Sequence, residues 1–155
     1  MKAPMSRGMP VSTEILFDVG VEPSTVPPKP GEPAVLGTLD PKFQGKRLAR
    51  FSFEYVIPAQ QISFANGSSK THKGAIDFDI AVYDTNDNLL TGLSQTVKTT
   101  LSDDTYRSQL ANKEPIRFTQ QIDLPAGQLF IRVGVLDRTS NQTGTLELPL
   151  KVARK

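Results

Sequence analysis

The stretch that decides the fold is residues 74–90, GAIDFDIAVYDTNDNLL, where apolar and polar residues alternate before a cluster of Asp and Asn. Successive side chains of a β-strand point to opposite faces, so Ile76, Phe78 and Ile80 share one face. Asp77 and Asp79 fall on the other face, and we expect them to point away from the core into water. Asn and Asp favour turns, because they tolerate positive φ and bond their own backbone. The stretch therefore predicts a half-buried strand followed by a turn.

The same two-residue period continues on both sides of this stretch. An early strand carries Ile15, Phe17, Val19 and Val21 at alternate positions. Later segments with this pattern are RFSFEYVI (50–57), LSQTVKTTL (93–101), PIRFTQQIDL (115–124), LFIRVGVLD (129–137) and TLELPLKV (145–152). About seven strands with turn signals between them are typical of an all-β fold. We predict an immunoglobulin-like or fibronectin-like antiparallel β-sandwich.

Proline divides the chain before the sandwich begins. Half of the 12 prolines lie between Pro23 and Pro41, where missing backbone donors disfavour a helix or a central strand. We predict a flexible N-terminus over 1–10, an N-terminal strand over 11–22, a Pro-rich connector over 23–46 and a β-sandwich domain over 47–153. The 155 residues allow one domain of this kind with its own core.

One helix is expected, at about residues 102–111, in SDDTYRSQLA. Ser102 can cap its first turn, and Asp103 and Asp104 favour the positive end of the helix dipole. Pro115 marks the latest possible end. The pattern predicts a short helical crossing between strands.

The acidic turn raises the question of a calcium site, with Asp84, Asn86, Asp87 and Asn88 as candidate ligands. DTNDNLLTGLSQ (84–95) begins like an EF-hand loop, with oxygen ligands at its first, third and fifth positions. Leu89 then stands where that loop needs Gly, and Gln95 where it needs the closing Glu. A hairpin turn is favoured, and a calcium-stabilised domain is the alternative.

The remaining candidates for chemistry favour no enzyme and no cofactor. His72 is the single histidine and falls in a predicted loop, NGSSKTHKG, without an evident partner for catalysis. No serine lies in a Gly-x-Ser-x-Gly elbow, and no Gly-rich phosphate loop occurs. Cys is absent, which excludes disulfides and thiolate metal sites.

Composition also limits the partners. A formal charge of +2 is too small to suggest a nucleic-acid surface. No apolar run approaches the ~20 residues of a membrane-spanning helix. Carbohydrate modules use exposed aromatic side chains, but Trp is absent and Tyr83 is the one aromatic expected near a turn on an outer face. Protein partners or neighbouring domains of a longer chain remain.

Residues 124–152, LPAGQLFIRVGVLDRTSNQTGTLELPLKV, resemble the C-terminal region of bacterial von Willebrand factor A-related proteins. The matching positions are Leu124, Pro125, Gly127, Arg132, Val133, Val135, Asp137 and Gly144. With upstream elements the resemblance covers about residues 48–153. The A domain itself and its Asp-x-Ser-x-Ser metal motif are missing, so no adhesion residue is carried over. The resemblance implies a secreted or periplasmic parent protein, of which this chain is an excised part without a signal peptide.

Arg132 alternates with the core positions Ile131 and Val133, so we expect it on an outer face. There it would form a surface ion pair with Glu54, Asp77 or Asp79. The function that these observations favour is a non-catalytic accessory module that binds proteins or spaces domains. A carbohydrate or cell-surface binding module and a calcium-stabilised structural domain are the alternatives.

Overall fold

The computed structural model describes residues 5–24, 38–43 and 48–153. Within them the chain forms nine β-strands and one α-helix. The strands are β1 (Asp18–Pro23), β2 (Thr38–Leu39), β3 (Leu48–Ile57), β4 (Ala65–Asn66), β5 (Thr71–Tyr83), β6 (Leu89–Ser102), β7 (Ile116–Pro125), β8 (Gly127–Asp137) and β9 (Gln142–Val152). The helix is α1 (Asp103–Ala111).

The strands form two antiparallel sheets. The smaller sheet has the order β1-β3-β7, and the larger has the order β2-β6-β5-β8-β9, with β4 paired to β5. All seven predicted strands are present, and the two additional ones, β2 and β4, have only two residues each. The prediction of an all-β fold with one helix is confirmed.

The two sheets enclose one core. Phe51 from β3, Phe78 from β5 and Val133 from β8 belong to the same cluster of buried side chains. Aromatic rings join the sheets, with Phe78 lying 4.9 Å from Tyr55 and 4.3 Å from Phe118 between ring centroids. The alternation seen in the sequence therefore lines a shared interior.

A polar contact crosses this apolar interior. The Tyr55 hydroxyl donates to Gln120 Oε1 at 2.8 Å, and Gln120 Nε2 donates to the Phe78 carbonyl oxygen at 3.2 Å. Burial raises the pKa of the Tyr55 phenol well above its ordinary value. Because each buried polar atom in this bridge has a partner, the bridge fixes how the sheets face each other.

Thr91 in β6 is buried without such a partner. Its side chain is 2% exposed, and its Oγ1 makes no hydrogen bond with any residue that the structure describes. A buried hydroxyl without a partner costs free energy, so we expect Thr91→Val to raise the free energy of unfolding by about 1 kcal/mol. Urea denaturation measures this change.

Thr145 is the matched control for Thr91, since it is also buried, at 1% exposure. Its Oγ1 accepts a hydrogen bond from the Ser12 backbone nitrogen at 2.7 Å. We therefore expect Thr145→Val to lower stability by about 1 kcal/mol. Equal changes in the two variants would contradict the assignment of Thr91 as the unsatisfied group.

Residues 5–17, here called the N-terminal segment, lie across the outer face of the larger sheet and then enter the core. Two backbone hydrogen bonds join it to β9. The Thr145 nitrogen donates to the Ser12 carbonyl oxygen at 2.9 Å, and the Ile15 nitrogen donates to the Thr143 carbonyl oxygen at 3.0 Å. Ile15 is 1% exposed and Phe17 is 9% exposed, between the sheets. The segment thus extends the edge of β9 before the chain joins the smaller sheet.

The boundaries of the first strand differ from those predicted. Regular strand begins at Asp18 rather than at residue 11, because residues 12–15 pair with β9 in the other sheet. Residues 5–10 contact the larger sheet, while 1–4 lie outside the described residues, so the predicted flexibility of 1–10 stays a prediction. Residues 25–37 and 44–47 also lie outside them, and so does most of the predicted connector.

The helix matches its prediction. It spans Asp103–Ala111, and the Ser102 side chain accepts from the Thr105 nitrogen at 3.2 Å as its N-cap. Asp103 and Asp104 occupy its first turn. Local capping chemistry was therefore sufficient to place this element.

Candidate functional site

The acidic turn is closed by its own hydrogen bonds. Asp84 Oδ1 accepts from the backbone nitrogens of Asn86 and Asn88, at 2.8 and 2.9 Å. Asp84 Oδ2 accepts from the Asn88 side chain, and this contact and the backbone bonds hold the pKa of Asp84 below its ordinary value. Asp87 has φ +63° and accepts from Arg7. This geometry is that of a hairpin turn.

The calcium alternative at these four residues stays a prediction. Among the residues with described positions, no three His, Cys, Asp or Glu side chains form a group that could hold a metal ion. Asp84 already uses both carboxylate oxygens within the turn. A calcium ion would have to displace those contacts to gain its six to eight oxygen ligands.

Asp77 and Asp79 lie on the outer face of β5, but they are not surrounded by water as predicted. Asp77 is 7% exposed because Arg138 and Thr96 cover its carboxylate, with Oδ1 contacts of 2.8 and 2.6 Å. Asp79 is partly buried and accepts from Ser94 Oγ at 2.5 Å. Neighbouring strands thus shield side chains that face away from the core.

The pKa values of these two carboxyl groups shift in opposite directions. At Asp77, burial acts to raise the pKa, but the hydrogen bonds from Arg138 and Thr96 outweigh it and hold the pKa below its ordinary value. At Asp79, burial raises the pKa, and the hydrogen bond from Ser94 only partly opposes it.

We expect Asp77→Asn and Asp79→Asn to change stability with opposite signs at pH 7. Ionised Asp77 stabilises the fold above the unfolded pKa of Asp, about 3.9, and this contribution is lost as pH falls through its lowered folded pKa. Ionised Asp79 destabilises the fold once pH exceeds that value, because its folded pKa is raised. Melting temperatures from pH 3 to pH 7 should show Asp77→Asn lower and Asp79→Asn higher, by a few degrees, converging in acid. Shifts of the same sign would contradict this.

Arg132 differs from its prediction. It lies on the outer face as expected, but it is 1% exposed, and its Nη2 donates to the Pro10 carbonyl oxygen at 2.8 Å. Its closest carboxylate among the described residues is Glu147, at 3.8 Å. Glu54, a predicted partner, lies in the other sheet and pairs with Arg117 at 2.8 Å. The prediction of a surface pair was wrong because the N-terminal segment covers this face.

The same segment brings a second arginine to the sheet. Arg7 Nη1 lies 2.7 Å from Glu147, and its Nε lies 3.0 Å from Asp87. The Arg7 guanidinium also stacks 4.0 Å over the Phe130 ring. These contacts hold the pKa of Arg7 above its ordinary value, with the hydrogen bond to Glu147 contributing most. They attach the N-terminal segment to β8, β9 and the acidic turn.

Tyr83 takes part in this attachment too. Its hydroxyl donates to the Met5 carbonyl oxygen at 2.8 Å, and Met5 is 7% exposed. The carbohydrate alternative relied on Tyr83 as an outward aromatic residue. That alternative stays a prediction, and Tyr83 serves here as a contact of the N-terminal segment.

His72 was interpreted as a loop residue, and that interpretation was wrong. It lies in β5, its ring stacks on Tyr106 at 3.9 Å between centroids, and its Nε2 lies 2.8 Å from Asp103 Oδ1. The hydrogen bond with His72 holds the pKa of Asp103 below its ordinary value. Phe64 packs edge-on against Tyr106. The cluster fastens α1 to the sheet.

Asp137, one of the positions of the resemblance, is fully buried at 0% exposure. Its Oδ2 accepts from the Ser63 nitrogen at 2.7 Å and from Ser140 Oγ at 3.0 Å, and its Oδ1 accepts from the Thr139 nitrogen at 2.9 Å. The carboxylate therefore joins the β8–β9 turn to the segment that follows β3. This is a structural contact.

An apolar groove of about 300 Å³ lies between the N-terminal segment, the start of β1 and β9. It is lined by Val11, Ser12, Thr13, Ile15, Leu16, Phe17, Asp18, Pro58, Thr145 and Leu146. Of its lining residues, Val11 is 48% exposed and Leu16 58%. They are two of the five large apolar side chains that are exposed in the described part of the chain.

Sequence reasoning missed this groove, although one signal was present. In VSTEILFDVGV (11–21), Ile15 and Phe17 follow the inward alternation, while Leu16 is an apolar residue at an outward position. An outward apolar residue is common singly, but Leu16 lines the groove together with Val11, which is also exposed. Only folding brings these two residues beside Pro58 and Leu146.

Comparisons with known proteins identify no family. No family model matches the chain, and no curated protein matches it. One similar solved structure is of a Bordetella pertussis protein given the name ApaA, with 14% identity, a TM-score of 0.40 and coverage of 91% of this chain and 97% of that one. Another is a Northeast Structural Genomics Consortium target, with 12% identity, a TM-score of 0.36 and coverage of 92% and 89%. Similarities this low support no statement about fold or function.

None of the helices within residues 5–24, 38–43 and 48–153 is long and apolar enough to cross a bilayer.

Proposed function

We propose that this chain is a non-catalytic, immunoglobulin-like accessory module of a secreted bacterial protein, and that it binds a protein partner at the apolar groove. The observation that carries the proposal is the apolar groove of about 300 Å³, whose lining includes two exposed apolar side chains, Val11 and Leu16. Exposed apolar patches of this kind mark interaction sites in soluble proteins. The secreted location and the accessory role follow from the resemblance of residues 124–152.

The polar clusters support this choice by being used within the fold. Asp137 joins two loops, Asp77 is paired with Arg138, and His72 is paired with Asp103. A catalytic constellation would instead present a base or nucleophile to an open cleft. The groove is lined mainly by apolar side chains, which suits burial of a partner's side chains better than chemistry.

The occupant that we propose is an extended apolar segment of a protein partner. The groove lies at the start of β1, where Asp18 adds an exposed carboxylate to its rim. An apolar segment with a basic residue would complement both features.

Selection from a displayed library of random peptides on the full chain tests this proposal. We expect the selected peptides to bind the Leu16→Glu variant at least about tenfold more weakly than the unaltered chain, because a charge in the groove opposes apolar burial. Leu89→Glu is the control, since Leu89 is 57% exposed against 58% for Leu16 but lies away from the groove.

Three outcomes contradict the proposal. The first is a failure to select any peptide, and the second is equal loss of binding in both variants. The third is a concentration-dependent dimer, seen by light scattering, that Leu16→Glu dissociates, since a second copy would then occupy the groove.

A further inference from the structure

β1 is an edge strand of the smaller sheet. It pairs with β3 along Asp18–Pro23, and within the described ranges no other strand lies beside it. Asp18, Gly20 and Glu22 are exposed, while Val19 and Val21 are partly buried toward the core. A free edge of this length offers unpaired backbone groups on which another strand can form.

The two carboxylates of β1 have no oppositely charged partner among the described residues. On the same face, Glu54 of β3 stands opposite Gly20 and is paired with Arg117 at 2.8 Å. Asp18 and Glu22 form no ion pair within the part of the chain that the structure describes. The edge therefore presents two carboxylates four residues apart with a glycine midway between them.

These charges disfavour pairing between two copies of the chain. An antiparallel pair of β1 strands centred on Gly20 would place Asp18 opposite Glu22 of the second copy, twice. Like charges directly opposite each other in a sheet are destabilising. A strand with basic residues at those two positions would instead gain two favourable cross-strand pairs.

Resting on the proposed function, we propose that the partner segment binds by adding a β-strand to the free edge of β1. The added strand is antiparallel and carries Lys or Arg four residues apart, facing Asp18 and Glu22. Its alternate residues are apolar and face inward beside Val19 and Val21. Backbone hydrogen bonds supply affinity in this mode, and the alternate side chains supply specificity.

Two peptides test the charge rule on the full-length protein by fluorescence anisotropy. They are Ser-Lys-Val-Thr-Val-Lys-Ser and its counterpart with Glu in place of both Lys, each blocked at both ends. We expect the Lys peptide to bind at least about tenfold more tightly, given two cross-strand charge pairs. The double variant D18K/E22K should reverse the preference, whereas D104K/E114K, which changes exposed acids at α1 and beyond it, should not.

Methylated peptides test the strand itself. Alternate amides of an added strand point to the same side, so N-methylation of both Val residues blocks one side and N-methylation of both Lys residues blocks the other. Strand addition predicts that one of these peptides loses binding and that the other keeps it. Equal effects of the two methylations, or equal affinities of the Lys and Glu peptides, would overturn the inference.

Leu16→Glu separates the inference from the proposed function. If D18K/E22K reverses the preference between the Lys and Glu peptides but Leu16→Glu does not change the affinity of the selected peptides, β1 binds strands and the groove proposal fails. If Leu16→Glu abolishes binding of selected peptides while the Lys and Glu peptides bind alike, the groove proposal stands and strand addition fails.

Discussion

Replacing Asp137 with Ala is expected to lower the free energy of unfolding by about 3 kcal/mol, and the melting temperature by about 8 °C. The substitution removes a fully buried carboxylate and leaves three donors, from Ser63, Thr139 and Ser140, without their acceptor. The three hydrogen bonds are part-buried, and they share an acceptor that is fully buried, which makes this loss larger than that of a single exposed hydrogen bond. Chemical denaturation followed by circular dichroism measures it.

Two further variants make the Asp137 result interpretable. Asp137→Asn keeps one acceptor oxygen, so we expect a smaller loss, of about 1–2 kcal/mol. Asp104→Ala removes an exposed carboxylate on α1 and should change stability by less than about 0.5 kcal/mol. A loss at Asp137→Ala no greater than that at Asp104→Ala would show that the buried contacts do not stabilise the fold.

Replacing Gly144 with Ala is expected to lower stability by about 2 kcal/mol and to release the N-terminal segment from β9. A Cβ atom at Gly144 would collide with the backbone carbonyl of Ile15, which cannot move aside as a flexible side chain would. Thr13 forms a bridge to Gly144, so a shift there also strains the pairing of residues 12–15.

Hydrogen exchange measures this release directly. We expect the amides of residues 12–17 to exchange faster in Gly144→Ala than in the unaltered protein. The amides of β3, whose pairing does not involve this contact, should keep their exchange rates. Gly20→Ala is the control, because a Cβ at Gly20 meets no atom within 4 Å. Unchanged protection of residues 12–17 in Gly144→Ala would contradict the close contact.

The strands and the helix were predictable because their causes are local. Alternation of apolar residues, as in Phe51, Phe53 and Tyr55, specifies which face of a strand is buried whatever the partner strand is. The helix likewise depends on Ser102 and the acidic residues next to it. Both kinds of signal are contained within about ten residues.

The surroundings of the charged residues were not predictable in this way. Arg132 is buried by Pro10, which lies 122 residues away in sequence, and His72 pairs with Asp103, which lies 31 residues away. Alternation places these side chains on a face but does not reveal what covers that face. The groove was missed for the same reason, because Leu16 and Leu146 become neighbours only after the N-terminal segment reaches β9.

The pairing of Ser12 with Thr145 joins residues 133 positions apart, so Ser12 is synthesised well before its partner. During translation Ile15 and Phe17 have no β9 to pack beside, and they stay exposed until β9 leaves the ribosome. Closing such a long loop is entropically costly, which favours slow folding. A chain cut short before residue 142 would therefore leave these two apolar side chains uncovered and prone to aggregation.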